Sequence, residues 1–191
     1  MSIKFKITAL LLICALCLFL PRVALTQTET VSITVNGETA QCDGSNFSML
    51  SACGQQQAVI VVTAETQATV KINGITQNPA TISLPNYGNN IITVTVTPQN
   101  SIPQNYTLIV NKPVPYYQIV VFEFPDVPSI NNNPANNGGF TFTSFKWFRN
   151  GVLIGTKQYF NNGGPLNPAD IYYVEAIDVS AGVIRTCLST E

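Results

Sequence analysis

Between Ala68 and Lys112, apolar side chains fall on every second position in four short runs: Val70/Ile72, Ile82/Leu84, Ile92/Val94/Val96 and Tyr106/Leu108/Val110. Thr, Ser and Lys fill the intervening positions. A period of two puts one set of side chains on each face of an extended strand, so this stretch predicts half-buried β-strands. Turn chemistry separates them. Asn73-Gly74 suits a two-residue hairpin, Asn78-Pro79 opens a turn, and Asn86 to Asn90 carries a glycine among three asparagines. The fold class that follows is all-β, built from antiparallel sheets.

The pattern Val70-Lys71-Ile72-Asn73-Gly74, then Gly88 to Thr97, then Tyr106 to Val110 resembles the cadherin-like β-sandwich modules of secreted bacterial proteins, over about Glu29 to Pro113. Cadherins place acidic calcium ligands at domain junctions. Here the junction is Asn111-Lys112-Pro113-Val114-Pro115, with no carboxylate, so the resemblance does not imply calcium-dependent adhesion.

Residues 1–26 carry Lys4 and Lys6, an unbroken apolar run from Ala9 to Leu20, and Val23-Ala24-Leu25-Thr26. That three-part pattern predicts a secretory signal peptide cut near Thr26. The apolar run is short of the roughly 20 residues a membrane-spanning helix needs. Cys14 follows Ile13 and Cys17 follows Leu16, so neither has the small preceding residue of a lipoprotein signal. The expected location is outside the cytoplasm: cell surface, medium or periplasm. No membrane span is expected in the mature chain.

Without Lys4, Lys6 and Arg22 the net charge falls from −1 to −4. A mildly acidic surface has no patch to neutralise phosphates, so nucleic acid is not an expected partner. Pro113-Val114-Pro115 cannot continue a ladder at either proline and marks a boundary. Beyond it the composition changes: thirteen of the sixteen aromatic residues after residue 26 lie between Tyr116 and Tyr173. Two tandem sandwiches are therefore expected, 27–113 (cadherin-like) and 114–191 (Ig-like). The strands expected in the second are Tyr116 to Phe124, Phe140 to Arg149, Val152 to Phe160, Asp170 to Asp178 and Gly182 to Ser189, with Asn150-Gly151 as a tight hairpin.

Trp147 on one strand, with Tyr172 two residues before Val174 on a later one, suggests an immunoglobulin-like sandwich with a tyrosine corner. The segments Asn131 to Phe142, Trp147 to Gly151 and Tyr172 to Glu175 resemble a C-terminal module recurrent in secreted proteins of the Bacteroidota. The layout also distantly resembles the sorting domains of type IX secretion cargo, with Asn133-Pro134 and Tyr172-Tyr173-Val174 in the corresponding places. The final residues, Arg185 to Glu191, lack the lysine-rich apolar ending of such domains.

Cys42 and Cys53 bracket a short loop in an exported chain, which predicts a disulfide between them. Cys187 is then the odd thiol. Alternation in the last strand turns Ile184, Thr186 and Leu188 inward and Cys187 outward, free to pair with Cys42, Cys53 or another chain; a bulge would instead bury it.

Catalytic chemistry finds little support. The chain has no histidine, which removes the usual general base, zinc ligand and triad member. Glu123 and Asp126 are the nearest acidic pair in an aromatic region, but nothing else of a glycosidase constellation accompanies them. Neither catalytic nor metal-binding residues are expected, and no cofactor. The expected function is a non-enzymatic surface module for binding or structure, its partners surface proteins or glycans. The alternative is a type IX cargo whose C-terminal module is an address. Stacking on a sugar would fall to Phe148, Tyr159 and Phe160, with hydrogen bonds from Asn161 and Asn162.

Overall fold

The computed structural model describes residues 30–190 except Pro125 and Asn162; the expected signal peptide lies outside the described residues, as does the Glu123 side chain. The described chain is all-β apart from one helical turn, as the alternation predicts.

The N-terminal half contains β1 (Ser32–Val35), β2 (Glu38–Thr39), β3 (Gln41–Asp43), β4 (Asn46–Leu50), β5 (Gln57–Thr63), β6 (Thr69–Ile72), β7 (Ala80–Ser83), β8 (Gly88–Thr97) and β9 (Gln104–Lys112). They form two sheets, β2-β1-β5-β7 and β3-β4-β9-β8-β6. The inner faces of both sheets share one core: Ile33, Ala58, Ile60 and Val62 from the first, with Phe47, Ile72, Ile92, Val94, Val96, Leu108 and Val110 from the second. At about 25 cal/mol per Å² of buried apolar surface, these inward rows supply the main drive for closure.

The segment read as a cysteine-bracketed loop is instead the β3–β4 hairpin, and β4 runs parallel to β9 from Asn46↔Thr107 to Leu50↔Asn111. Its Asp43-Gly44-Ser45-Asn46 turn dominates the local composition. The inward positions Phe47 and Met49 are too few to show a period on their own.

Past the junction come a helical turn (Tyr116–Ile119), β10 (Val120–Phe124), β11 (Val127–Ile130), β12 (Phe142–Arg149), β13 (Val152–Gly155), β14 (Tyr172–Asp178) and β15 (Gly182–Arg185). Tyr116 to Ile119 was expected to be extended. It coils because a turn buries Tyr116 and Ile119 together, three residues apart. The sheet β13-β12-β14-β15 buries Trp147, Tyr172, Val174, Ala176 and Ile184 on one face. The helical turn, the β10–β11 ribbon and Phe140 cover that face. The buried Tyr172 hydroxyl has no hydrogen-bond partner among the described residues, so it does not form the bond that defines a tyrosine corner.

Asparagine does the same job at several places. Asn36, Asn73 and Asn150 each have positive φ (53°, 49° and 51°) and precede a glycine, giving tight hairpin turns. Each also reaches the strand on the far side of its hairpin. The Asn73 N–H donates to the Thr93 carbonyl at 2.8 Å, while Asn73 Oδ1 accepts from the Thr93 N–H at 3.0 Å. Asn36 does this with Val59 and Asn150 with Ile171. Asn132 uses its amide alone, taking the Phe142 N–H at 2.7 Å and giving to the Phe142 carbonyl at 3.0 Å. A side-chain amide thus stands in for one more residue of strand.

Two stability predictions follow. Asn73→Ala should cost about 2 kcal/mol in urea unfolding, about half from placing alanine at positive φ and half from the lost bond. Asn73→Gly should cost less, because only the bond is lost. Asp178 tests the acid limit. Burial alone would raise its pKa, but bonds from Ser180 Oγ, the Ala181 and Ser180 N–H groups and Thr141 N–H hold it below the usual carboxylate value. Its contribution is therefore present above the unfolded pKa of about 3.9 and lost as pH falls through the lower folded value. Asp178→Asn should flatten that part of an acid-unfolding curve.

Candidate functional site

The two halves meet through backbone, side chains and a covalent bond. Beyond β9 the chain runs on to Val114, whose N–H donates to the Arg185 carbonyl at 2.9 Å and whose carbonyl accepts from the Cys187 N–H at 2.7 Å. Val114 thus extends the C-terminal sheet as a parallel neighbour of Thr186. Gly88 lets β8 approach β15: its φ is +79°, and a Cβ there would lie 2.5 Å from Ile184 Cδ1. Asn111 Nδ2 donates to the Val183 carbonyl at 2.8 Å and to Asn89 Oδ1 at 2.9 Å. Lys112 is buried, its ammonium donating to the Leu84 carbonyl (2.8 Å) and Gln56 Oε1 (3.0 Å) and lying 5.0 Å from the Tyr87 ring centre.

The disulfide joins Cys53 to Cys187, with Cα atoms 5.5 Å apart, and not Cys53 to Cys42 as the spacing had suggested. The hairpin explains the correction. Cys42 pairs with Phe47, and from there the chain runs extended through Ser51, whose N–H still donates to the Asn111 carbonyl. At about 3.3 Å per residue that puts Cys42 and Cys53 well beyond the roughly 4.4–6.8 Å a disulfide spans. Cys42 is exposed and in no disulfide; its thiol donates to the Gly44 carbonyl at 3.5 Å. Cys187 lies beyond the end of β15 and is buried, not exposed as regular alternation predicted. Its bond to Cys53 and its N–H bond to the Val114 carbonyl hold it at the junction.

A cleft of about 620 Å³ opens at this junction, with Glu38, Gln41, Leu50, Asn89 and Asn111 on one side and Arg185 on the other. Asn111 Oδ1 is buried there with no hydrogen-bond partner among the described residues. Arg185 is held in place: its guanidinium lies 4.0 Å from the Tyr173 ring centre and 3.6 Å from Glu175 Oε1. Tyr173 stacks on Phe148 at 4.6 Å with planes 7° apart. The aromatic pair lies next to this fixed cation, outside the cleft lining itself. These groups can recognise a polar partner through the arginine fork and the asparagine amides, beside flat apolar surface.

The residues expected to touch a ligand are dispersed. Phe148 stacks on Tyr173 and does not line the cleft. Phe160 packs at 6.2 Å against Trp147, on the opposite face of the same sheet, and is part of the core. Tyr159 is half exposed with Lys157 above its ring, and Asn161 Oδ1 accepts from the Gly163 N–H in a local turn. Asn162 lies outside the described residues. Reading the sequence missed Arg185, Tyr173, Asn89 and Asn111 as a set. Each occupies an outward position of an alternating strand, a visible signal, but only the fold brings them to one place. Among the described residues, no group of three or more His, Cys, Asp or Glu could hold a metal ion.

Reduction tests the clamp. Protein without residues 1–26, which carry Cys14 and Cys17, should show one reactive thiol, removed by Cys42→Ser, and a non-reduced digest should link the Cys53 peptide to that of Cys187. Closing so long a loop is worth about 2–5 kcal/mol in chain entropy, so Cys187→Ser should lower unfolding stability by that order.

Residues 55–113, from the loop before β5 to the residue after β9, match the family model of a cadherin-like beta sandwich domain. No curated protein and no solved structure matches the chain. This region of the chain, and the β-rich fold around it, thus carry the likeness to cadherin-like modules.

Proposed function

We propose that the chain is an exported, non-enzymatic binding or structural module of the cell surface, built from two parts at 27–113 and 114–191, the second Ig-like. It engages a surface protein or glycan at the junction cleft. The observation that carries this is the cleft itself: Arg185 of the C-terminal half faces residues of the N-terminal half across it, two residues before the Cys53–Cys187 bond, and is already oriented over Tyr173. A preorganised site spends less of its binding energy on ordering. The disulfide fits an oxidising compartment, and no helix among the described residues is long and apolar enough to cross a membrane.

The alternative, a type IX cargo whose C-terminal part is an address, meets a physical obstacle. A cut near Pro113 would leave the two parts joined through Cys53 and Cys187.

Two measurements test the reading. Protein recovered from its native host's surface should begin near Gln27, retain residues 114–191, and gain two hydrogens on reduction. A product ending near Pro113 would favour the sorting alternative. Labelled protein applied to host cells should bind at least tenfold more tightly than Arg185→Glu, a typical loss for a reversed interfacial charge. Equal binding would remove the cleft from the proposal.

A further inference from the structure

We propose that a second pocket, in the C-terminal half and sharing no lining residue with the junction cleft, binds a single neutral sugar ring. It measures about 230 Å³, room for one ring and not for a folded partner. Tyr116 and Tyr172 are among its lining residues, and both are almost wholly buried, at 1% and 3% exposure. Neither hydroxyl has a hydrogen-bond partner among the described residues. A buried hydroxyl left unmet costs about 1–3 kcal/mol, a cost phenylalanine would avoid with the same ring packing. Two such groups beside one pocket point to a ligand that satisfies them.

The chemistry around them selects the ligand. Tyr117 is 64% exposed and Phe122 43%, and with Leu166 and Pro168 they offer apolar surface for the C–H face of a pyranose. Asp170 stands at the rim; one of its oxygens accepts from Asn150 Nδ2 at 2.8 Å, and the other has no partner among the described residues and is open to a sugar hydroxyl. No lysine or arginine lines the pocket, so an anion would meet Asp170 with nothing to offset it. An ammonium group brings donors only and would leave both phenolic protons unmet. Burial, with Tyr117 and Tyr172 nearby, pushes the Tyr116 phenol well above its ordinary pKa, so it remains an O–H donor. A ring with hydroxyls around its edge supplies both acceptors and donors.

Tyr117 stands between the pocket's open side and Tyr116 in this proposal. Its ring packs edge-on against Tyr116 at 5.1 Å, and its hydroxyl makes only a long 3.4 Å bond to the Ser189 carbonyl. A sugar that reaches the buried Tyr116 hydroxyl would have to displace this neighbouring ring.

The test is an NMR titration of the folded, disulfide-bonded protein with the methyl pyranosides of glucose, galactose, mannose and N-acetylglucosamine. Saturable shifts are expected at Tyr117, Phe122 and Ser189 with at least one of them. Tyr116→Phe and Tyr172→Phe should keep or raise the thermal midpoint yet weaken that binding about 5- to 10-fold each, the value of one hydrogen bond. Arg185→Glu should leave it unchanged, which separates this pocket from the junction cleft. The proposal is overturned if none of the four sugars gives a saturable shift, if only tetramethylammonium or acetate does, or if both phenylalanine variants bind as the parent does.

Discussion

A single run of backbone, Gln104 to Val114, pairs with β8 and β4 along its first nine residues and with β15 at its last. Everything distinctive about the molecule depends on that change of partner. It turns a boundary of two prolines into a continuous hydrogen-bonded connection and brings Asn111 to β15. It also fixes where Lys112 is buried. A lysine ammonium without a carboxylate is costly to bury, and here the Leu84 carbonyl, Gln56 and the Tyr87 ring together solvate it. Tyr87 also packs against the C-terminal core, so the groups that hold Lys112 belong to the joint as a whole.

The alternation that announces the fold is a local property, and it was legible in the sequence for that reason. Ile92, Val94 and Val96 point inward along β8 because successive side chains of any strand must oppose one another. The asparagine-glycine turns were equally legible, since positive φ at both positions leaves few other residues acceptable. The reach of those asparagines to a third strand was not, because it depends on which strand lies across the hairpin.

What escaped the sequence has a common cause in long-range pairing. Cys42 and Cys53 are close in number but separated by an extended strand, whereas Cys53 and Cys187 are far apart in number and adjacent in space. The β4–β9 pairing is parallel and joins segments about sixty residues apart, so no turn signal advertises it. The candidate cleft shares this character. Arg185, Asn89 and Asn111 come from three strands, and each alone reads as an ordinary outward side chain. Phe148 stacks on Tyr173 because strand register sets the two opposite each other, while Phe160 packs against Trp147.

The Cys53–Cys187 bond also sets how the molecule would carry mechanical load. Tension applied between the two ends passes from the first strands to Cys53, across the sulfurs to Cys187, and out through the last few residues. Strands β5 to β15 lie inside that covalent loop and cannot be drawn out; β5 and β9 feel the load only through their pairing with β1 and β4. Under oxidising conditions pulling can peel away only β1 to β4, and the greatest extension is short. Once the bond is reduced, the same force would reach every sheet, and the protein would change from an almost inextensible link into a long elastic one.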